Sequence, residues 1–159
     1  MAEIRNAQGL AYNVESSFDI GRRFPGTFEA ETETKAGSTA KTIGLMEEII
    51  AGMTKQPVSD QELKLAKDTI INSFIFGFAN TAAVASQKAR LEYYHYPVGY
   101  LENYRDNIAR VTKEDVLRVA KKYLHPEGMI LVVVGDEEKI DKPLATFGKV
   151  EEVKLENGK

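Results

Sequence analysis

In Leu10-Ala11-Tyr12-Asn13-Val14-Glu15, the residues Leu10, Tyr12 and Val14 alternate with Ala11, Asn13 and Glu15; beyond Gly21-Arg22-Arg23, Phe24, Phe28 and Ala30 alternate with Glu29 and Glu31. Side chains of a strand point to opposite faces in turn, so two such segments around a turn predict an antiparallel hairpin. From Ser38 to about residue 55 the period changes, with Ile43, Met46, Ile49, Ile50 and Met53 at helical spacing. That spacing predicts an amphipathic helix packed by its apolar stripe.

Further helices follow. Gln56-Pro57-Val58 ends the first, and Ser59-Asp60-Gln61-Glu62 has the pattern of a capping box, in which Ser59 and Glu62 satisfy each other's free backbone donors. A second helix is expected from there through Leu63, Ala66, Ile70 and Phe74, and a third from Thr81 to about Tyr94, opened by Asn80-Thr81. Pro97 and Gly99 precede a short fourth helix carrying Leu101, Tyr104 and Ile108. Thr112-Lys113-Glu114-Asp115 is a second capping box, with Asp in place of Glu, and opens a fifth helix with Val116, Val119, Ala120, Tyr123 and Leu124 that His125-Pro126 ends. Met129 to Val134 is a continuous apolar, β-branched run, expected to be a strand covered on both faces, with a turn at Gly135-Asp136 and a weaker strand from Lys149 to Leu155. Strands, a block of helices and a returning strand predict an α+β fold: a mostly antiparallel sheet with a layer of helices on one face.

The 159 residues fit one domain, so residues 1–159 are expected to form a single, partial one. Apolar residues make up 43% of the chain, enough for a core, yet no apolar run approaches the roughly 18 residues a spanning helix needs. Met1-Ala2-Glu3 has no basic segment leading into an apolar one, so no secretory signal is expected in this chain. A net charge of −3 with interspersed signs gives no basic stripe, which disfavours nucleic-acid binding. With no cysteine, disulfides, thiolate metal sites and a cysteine nucleophile are excluded.

Several catalytic arrangements fail against the residues. A zinc peptidase helix needs H-E-x-x-H or H-x-x-E-H, but His95 is followed by Tyr96-Pro97-Val98-Gly99 and His125 by Pro126-Glu127-Gly128-Met129. Both histidines are expected at helix ends, where an imidazole sits favourably against the dipole. There is no G-x-S-x-G elbow and no glycine-rich phosphate loop. Glu47-Glu48 and Glu137-Glu138 read as solvated charges, and Tyr93, Tyr94, Tyr96, Tyr100 and Tyr104 as packing residues.

The ordered motifs resemble the C-terminal half of an insulinase-type (pitrilysin, mitochondrial processing peptidase; M16) zinc metallopeptidase. They begin at Ile4-Arg5 and Gly9-Leu10-Ala11-Tyr12, similar to that family's signature of an Arg, six residues and a Tyr. They continue through Pro57-Val58-Ser59-Asp60-Gln61-Glu62-Leu63, Ala66-Lys67, Tyr100-Leu101-Glu102-Asn103-Tyr104 and Val111-Thr112-Lys113-Glu114-Asp115-Val116. Ala120-Lys121-Lys122-Tyr123-Leu124 and Val132-Val133-Val134-Gly135-Asp136 complete the series.

The resemblance implies a peptidase of two halves, one carrying H-x-x-E-H and zinc, the other facing it across a chamber. It assigns this chain to the second half, with Tyr12 as a donor to the oxyanion of the scissile carbonyl and Arg5 as a contact to a substrate carbonyl. Gly9 would let the chain turn sharply out of a helix ending near Arg5, so that Tyr12 folds back beside it. From the residues alone, an ordinary strand tyrosine and a helix-end arginine remain the alternative.

Two departures from the family pattern shape the expectation. With no H-x-x-E-H, the chain should neither hold catalytic zinc nor cleave peptides by itself, and zinc belongs to the partner half. The strand and helix that precede the Arg motif in the family are missing, which suggests a piece of a longer protein that self-associates through uncovered edges. The expected role is the substrate-binding half of a zinc endopeptidase; the alternative is a non-catalytic interaction or assembly subunit. Peptide substrate and compartment stay open.

Overall fold

The computed structural model describes residues 11–19, 21 and 24–153. Arg5, Gly9, Arg22 and Arg23 lie outside the described residues, as does the end of the weak strand expected to reach Leu155. The fold is α+β: a two-stranded antiparallel sheet and five α-helices among the described residues. These fall into two compact units, one of residues 1–52 with 125–159 and the other of residues 53–124. Among the described residues no single helix is long and apolar enough to cross a membrane.

The first unit holds the expected hairpin. β1 (Ala11–Phe18) pairs with β2 (Phe28–Thr34), and the Asp19 amide donates to the Thr27 carbonyl at 2.9 Å where the strands part. Phe18 and Phe28, paired in register, bring their rings to 5.0 Å. Along β2 burial alternates residue by residue, with Glu29, Glu31 and Glu33 outward, as the pleat demands. After a 3-10 turn at Ala36–Ser38, α1 (Thr39–Lys55) buries Ala40, Ile43 and Ile50.

Met129 to Val134 differs from expectation. It belongs to no strand, and Ile130, Val132 and Val134 are 89%, 78% and 95% exposed. β-propensity makes a strand only where a neighbouring backbone completes the ladder, and no described residue pairs with this run. Lys149 to Val153 is likewise unpaired, while Asp136 accepts from the Glu138 amide at 3.3 Å to open a 3-10 turn at Glu137–Lys139, beside the expected Gly135-Asp136 turn.

The second unit shows its capping signals as hydrogen bonds. Ser59 opens α2 (Asp60–Ser73): the Glu62 amide donates to Ser59 Oγ at 3.2 Å, and the Ser59 amide donates to Glu62 Oε2 at 2.8 Å. Thr112 and Asp115 repeat the box at α5 (Lys113–Tyr123), at 3.1 and 3.2 Å. Hydrogen bonds from the Ser59 hydroxyl and amide hold the Glu62 carboxyl below its ordinary pKa. Asp115 is lowered by the Arg118 guanidinium first and by Thr112 next. Lys113, bonded to Asp60 at 2.7 Å, is raised.

α3 (Thr81–Tyr93) starts at Asn80, whose side chain accepts from the Ala83 amide at 2.9 Å. α4 (Tyr100–Arg110) starts at Gly99, whose φ of 81° suits a residue without Cβ.

Two apolar faces are rotated from those expected. In α2 the more sheltered positions are Leu63, Lys67 and Ile71, while Ala66 and Ile70 are exposed. On the sheltered side, the Lys67 ammonium donates at 2.7 Å to the Ala109 carbonyl in the last turn of α4, where a cation meets the negative end of the helix. In α5 Ala120 is buried, as is Leu124 just after it, but Val119 and Tyr123 are 41% and 56% exposed.

The tyrosines pack as expected. Rings succeed one another from Tyr96 to Tyr100 (4.5 Å), Tyr104 (6.0 Å) and Phe74 (4.8 Å), and Tyr93 meets Tyr94 at 5.0 Å.

Candidate functional site

The site suggested by the sequence lies at the start of β1. Ala11 pairs with Thr34 and Asn13 with Glu33, so two steps along β1 match one step along β2. Tyr12 is therefore the extra residue of a β-bulge. A bulge interrupts the ladder, bends its strand and re-aims the residues around it, and bulges are enriched beside active sites.

The backbone next to the bulge is held by side chains. Thr32 Oγ1 donates to the Asn13 carbonyl at 2.9 Å, across nineteen residues of chain. At the end of β2, Thr34 Oγ1 lies 3.2 Å from Thr42 Oγ1, and Thr42, 1% exposed, donates to the Ser38 carbonyl at 2.9 Å. The Ala40 amide, one of the unpaired donors of the first turn of α1, is met by Asp141 Oδ1 at 2.8 Å. A chain of hydroxyls and one carboxylate thus fastens the hairpin's open end to α1, and α1 to the C-terminal segment.

The outward face of the ribbon is acidic. Glu15 stands directly opposite Glu31, and Glu29 and Glu33 lie two residues to either side along β2. Among the described residues none of the four is in a salt bridge. Like charges opposite one another oppose strand pairing, so this face weakens the hairpin and repels anionic segments.

His95 and His125 do not enter the site. His95 has a φ of 54° just past α3, its amide donating to the Glu92 carbonyl at 3.0 Å in a left-handed helix stop. His125 follows α5, with Nδ1 3.7 Å from Glu127 Oε1. The described residues contain no group of three or more His, Asp or Glu able to hold a metal ion, so the donors present do not fit a catalytic zinc site.

Comparison with known proteins agrees with the motif order. The family model of the peptidase M16 inactive domain matches residues 1–70, a span that includes both Arg5 and Tyr12. A crystal structure of a peptidase M16 inactive domain from Pseudomonas fluorescens superposes with a TM-score of 0.70 at 28% identity, over 79% of this chain and 30% of that one. Over residues 1–70 in sequence, and in fold, this chain is similar to M16 inactive domains. The chain is also similar to an uncharacterized zinc protease of Mycobacterium leprae, 26% identical over 77% of this chain. The zinc protease PqqE of Helicobacter pylori is 29% identical over 80% of it. A protease structure from Helicobacter pylori shares the fold, with a TM-score of 0.51 at 18% identity. The chain spans only 27% of the length of each of the two zinc proteases.

Thr32, Thr42 and Asp141 are site-building residues that the sequence did not mark. Each bonds a backbone or hydroxyl group brought near only by the fold, and no local pattern signals such a bond. The acidic face was more accessible, since Glu29 and Glu31 fall on alternate residues of a segment already read as a strand, which the structure extends past Glu33.

Proposed function

We propose that this M16 inactive-type domain is the substrate-side half of a zinc-dependent endopeptidase, working opposite a half that bears H-x-x-E-H and the zinc. Tyr12 donates a hydrogen bond to the oxyanion that develops on the scissile carbonyl, and Arg5 holds a neighbouring carbonyl of the peptide. The observation that carries this reading is the bulge at Tyr12, a local departure from regular pairing at the one strand residue the family pattern singles out. Donors fixed in advance where charge appears in the transition state favour that state over the bound substrate. A non-catalytic subunit would have no use for such a donor.

The test is Tyr12→Phe in the complete peptidase, assembled with its zinc-bearing half. Loss of one aimed donor should lower kcat by about 10²–10³-fold, with KM nearly unchanged and the circular dichroism spectrum intact. Turnover equal to the unmutated enzyme overturns the oxyanion role and leaves the assembly subunit as the better description.

A further inference from the structure

If Tyr12 acts as proposed, something must hold the bulge in place. An antiparallel pair can shift its irregularity by a residue at modest cost, and such a shift re-aims the side chains that it passes. The bulge at Tyr12 has few local restraints. Its only flanking register pairs are Ala11 with Thr34 and Asn13 with Glu33, and the outward carboxylates of Glu15 and Glu31 oppose pairing immediately after it.

The geometry points to Thr32 as a positioning residue for Tyr12. Its hydroxyl donates at 2.9 Å to the carbonyl of Asn13, the residue that follows the bulge, although its register partner is Val14. The bond therefore runs diagonally, from one ladder position to the backbone of the next. The bond ties the backbone that directly follows the extra residue to β2, and so opposes movement of the bulge along β1. Thr32 is half-buried, so water competes weakly for its hydroxyl. The far end of β2 is anchored independently, through Thr34 and the buried Thr42, so the strand that presents Thr32 is itself fixed to α1.

This inference rests on the oxyanion role of Tyr12, and a double-mutant cycle in the complete peptidase separates the two. Thr32→Val keeps the shape and removes the donor. It should lower kcat about five- to tenfold, roughly the worth of one hydrogen bond, with KM within twofold, and Thr32→Ser should restore turnover. In a Tyr12→Phe background the same Thr32→Val change should have no further effect, because a positioning residue acts only through the group it positions.

Wild-type turnover in Thr32→Val, or an undiminished loss in the Tyr12→Phe background, overturns the positioning role while Tyr12→Phe remains impaired. Full turnover in Tyr12→Phe itself overturns the proposed function instead. Should Thr32→Val not fold, Thr32→Ala takes its place in the cycle. In either variant the ¹³C resonance of the Asn13 carbonyl should move; an unmoved resonance shows that the hydrogen bond is not made and ends the proposal.

Discussion

Each of the two units is held together internally by its own kind of bond. In residues 53–124 the helix starts are satisfied from within three residues: Ser59 with Glu62, Asn80 with Ala83, Thr112 with Asp115. In the unit that carries Tyr12, the corresponding bonds reach across the chain, from Thr32 to Asn13 and from Ala40 to Asp141, the latter spanning 101 residues. A helix start that caps itself forms as soon as the helix does. A hairpin fastened to α1, which is itself capped by a distant carboxylate, exists only once these parts of the unit are assembled. The segment proposed to face substrate is thus the one whose geometry depends most on the rest of its unit.

The largest effect that separates the units is expected in the core of α1. Ile43 is 6% exposed, and Ile43→Ala should cost about 2–4 kcal/mol through lost burial and the cavity left behind. Leu65 in α2 is 67% exposed, and Leu65→Ala should change stability by no more than about 0.5 kcal/mol. Urea unfolding of both variants checks the contrast. Similar losses would mean that α2 buries its apolar side chains as deeply as α1 does.

A smaller effect sharpens the same comparison. Asp141→Ala removes the acceptor at the start of α1, and Ser59→Ala removes the one at the start of α2; each should cost about 1 kcal/mol. Their consequences should differ in place. Hydrogen exchange after Asp141→Ala should quicken in α1 and in the hairpin tied to it through Thr42, whereas after Ser59→Ala it should quicken only in the first turns of α2. Spread of the Ser59→Ala effect along the unit, or confinement of the Asp141→Ala effect to one turn, would erase the distinction between local and distant fastening.

The same distinction explains how much the sequence revealed. The hairpin, all five helices and both capping boxes were legible because alternation, helical spacing and S-x-x-E or T-x-x-D are local patterns. Tyr12 was singled out by its place in an ordered resemblance to a family signature. The strand expected at Met129 to Val134 failed because an apolar β-branched run records a preference for pairing but not the presence of a partner. The sheltered face of α2 was misplaced for a related reason: Lys67 turns inward to meet a carbonyl of α4, and a lysine in a helix pattern reads as an outward residue. The bulge, and Thr32 beside it, were invisible because register is a property of two strands together.

The smallest effect concerns acid. Glu62 and Asp115 titrate below their ordinary values in the folded protein, Glu62 through the Ser59 hydroxyl and amide, Asp115 through Arg118 and then Thr112. A carboxyl with a depressed folded pKa contributes stability that is fully present above its unfolded pKa. That contribution is lost as pH falls through the folded value. Both boxes should therefore weaken below the ordinary carboxylate range and remain constant at neutral pH.

Glu62→Gln keeps an acceptor at the third helical position without the charge. It should melt lower than the unmutated protein near neutrality, and the two melting temperatures should converge as the pH is brought down. A gap that persists unchanged in acid would assign the stability of this helix start to the shape of the side chain and not to its charge.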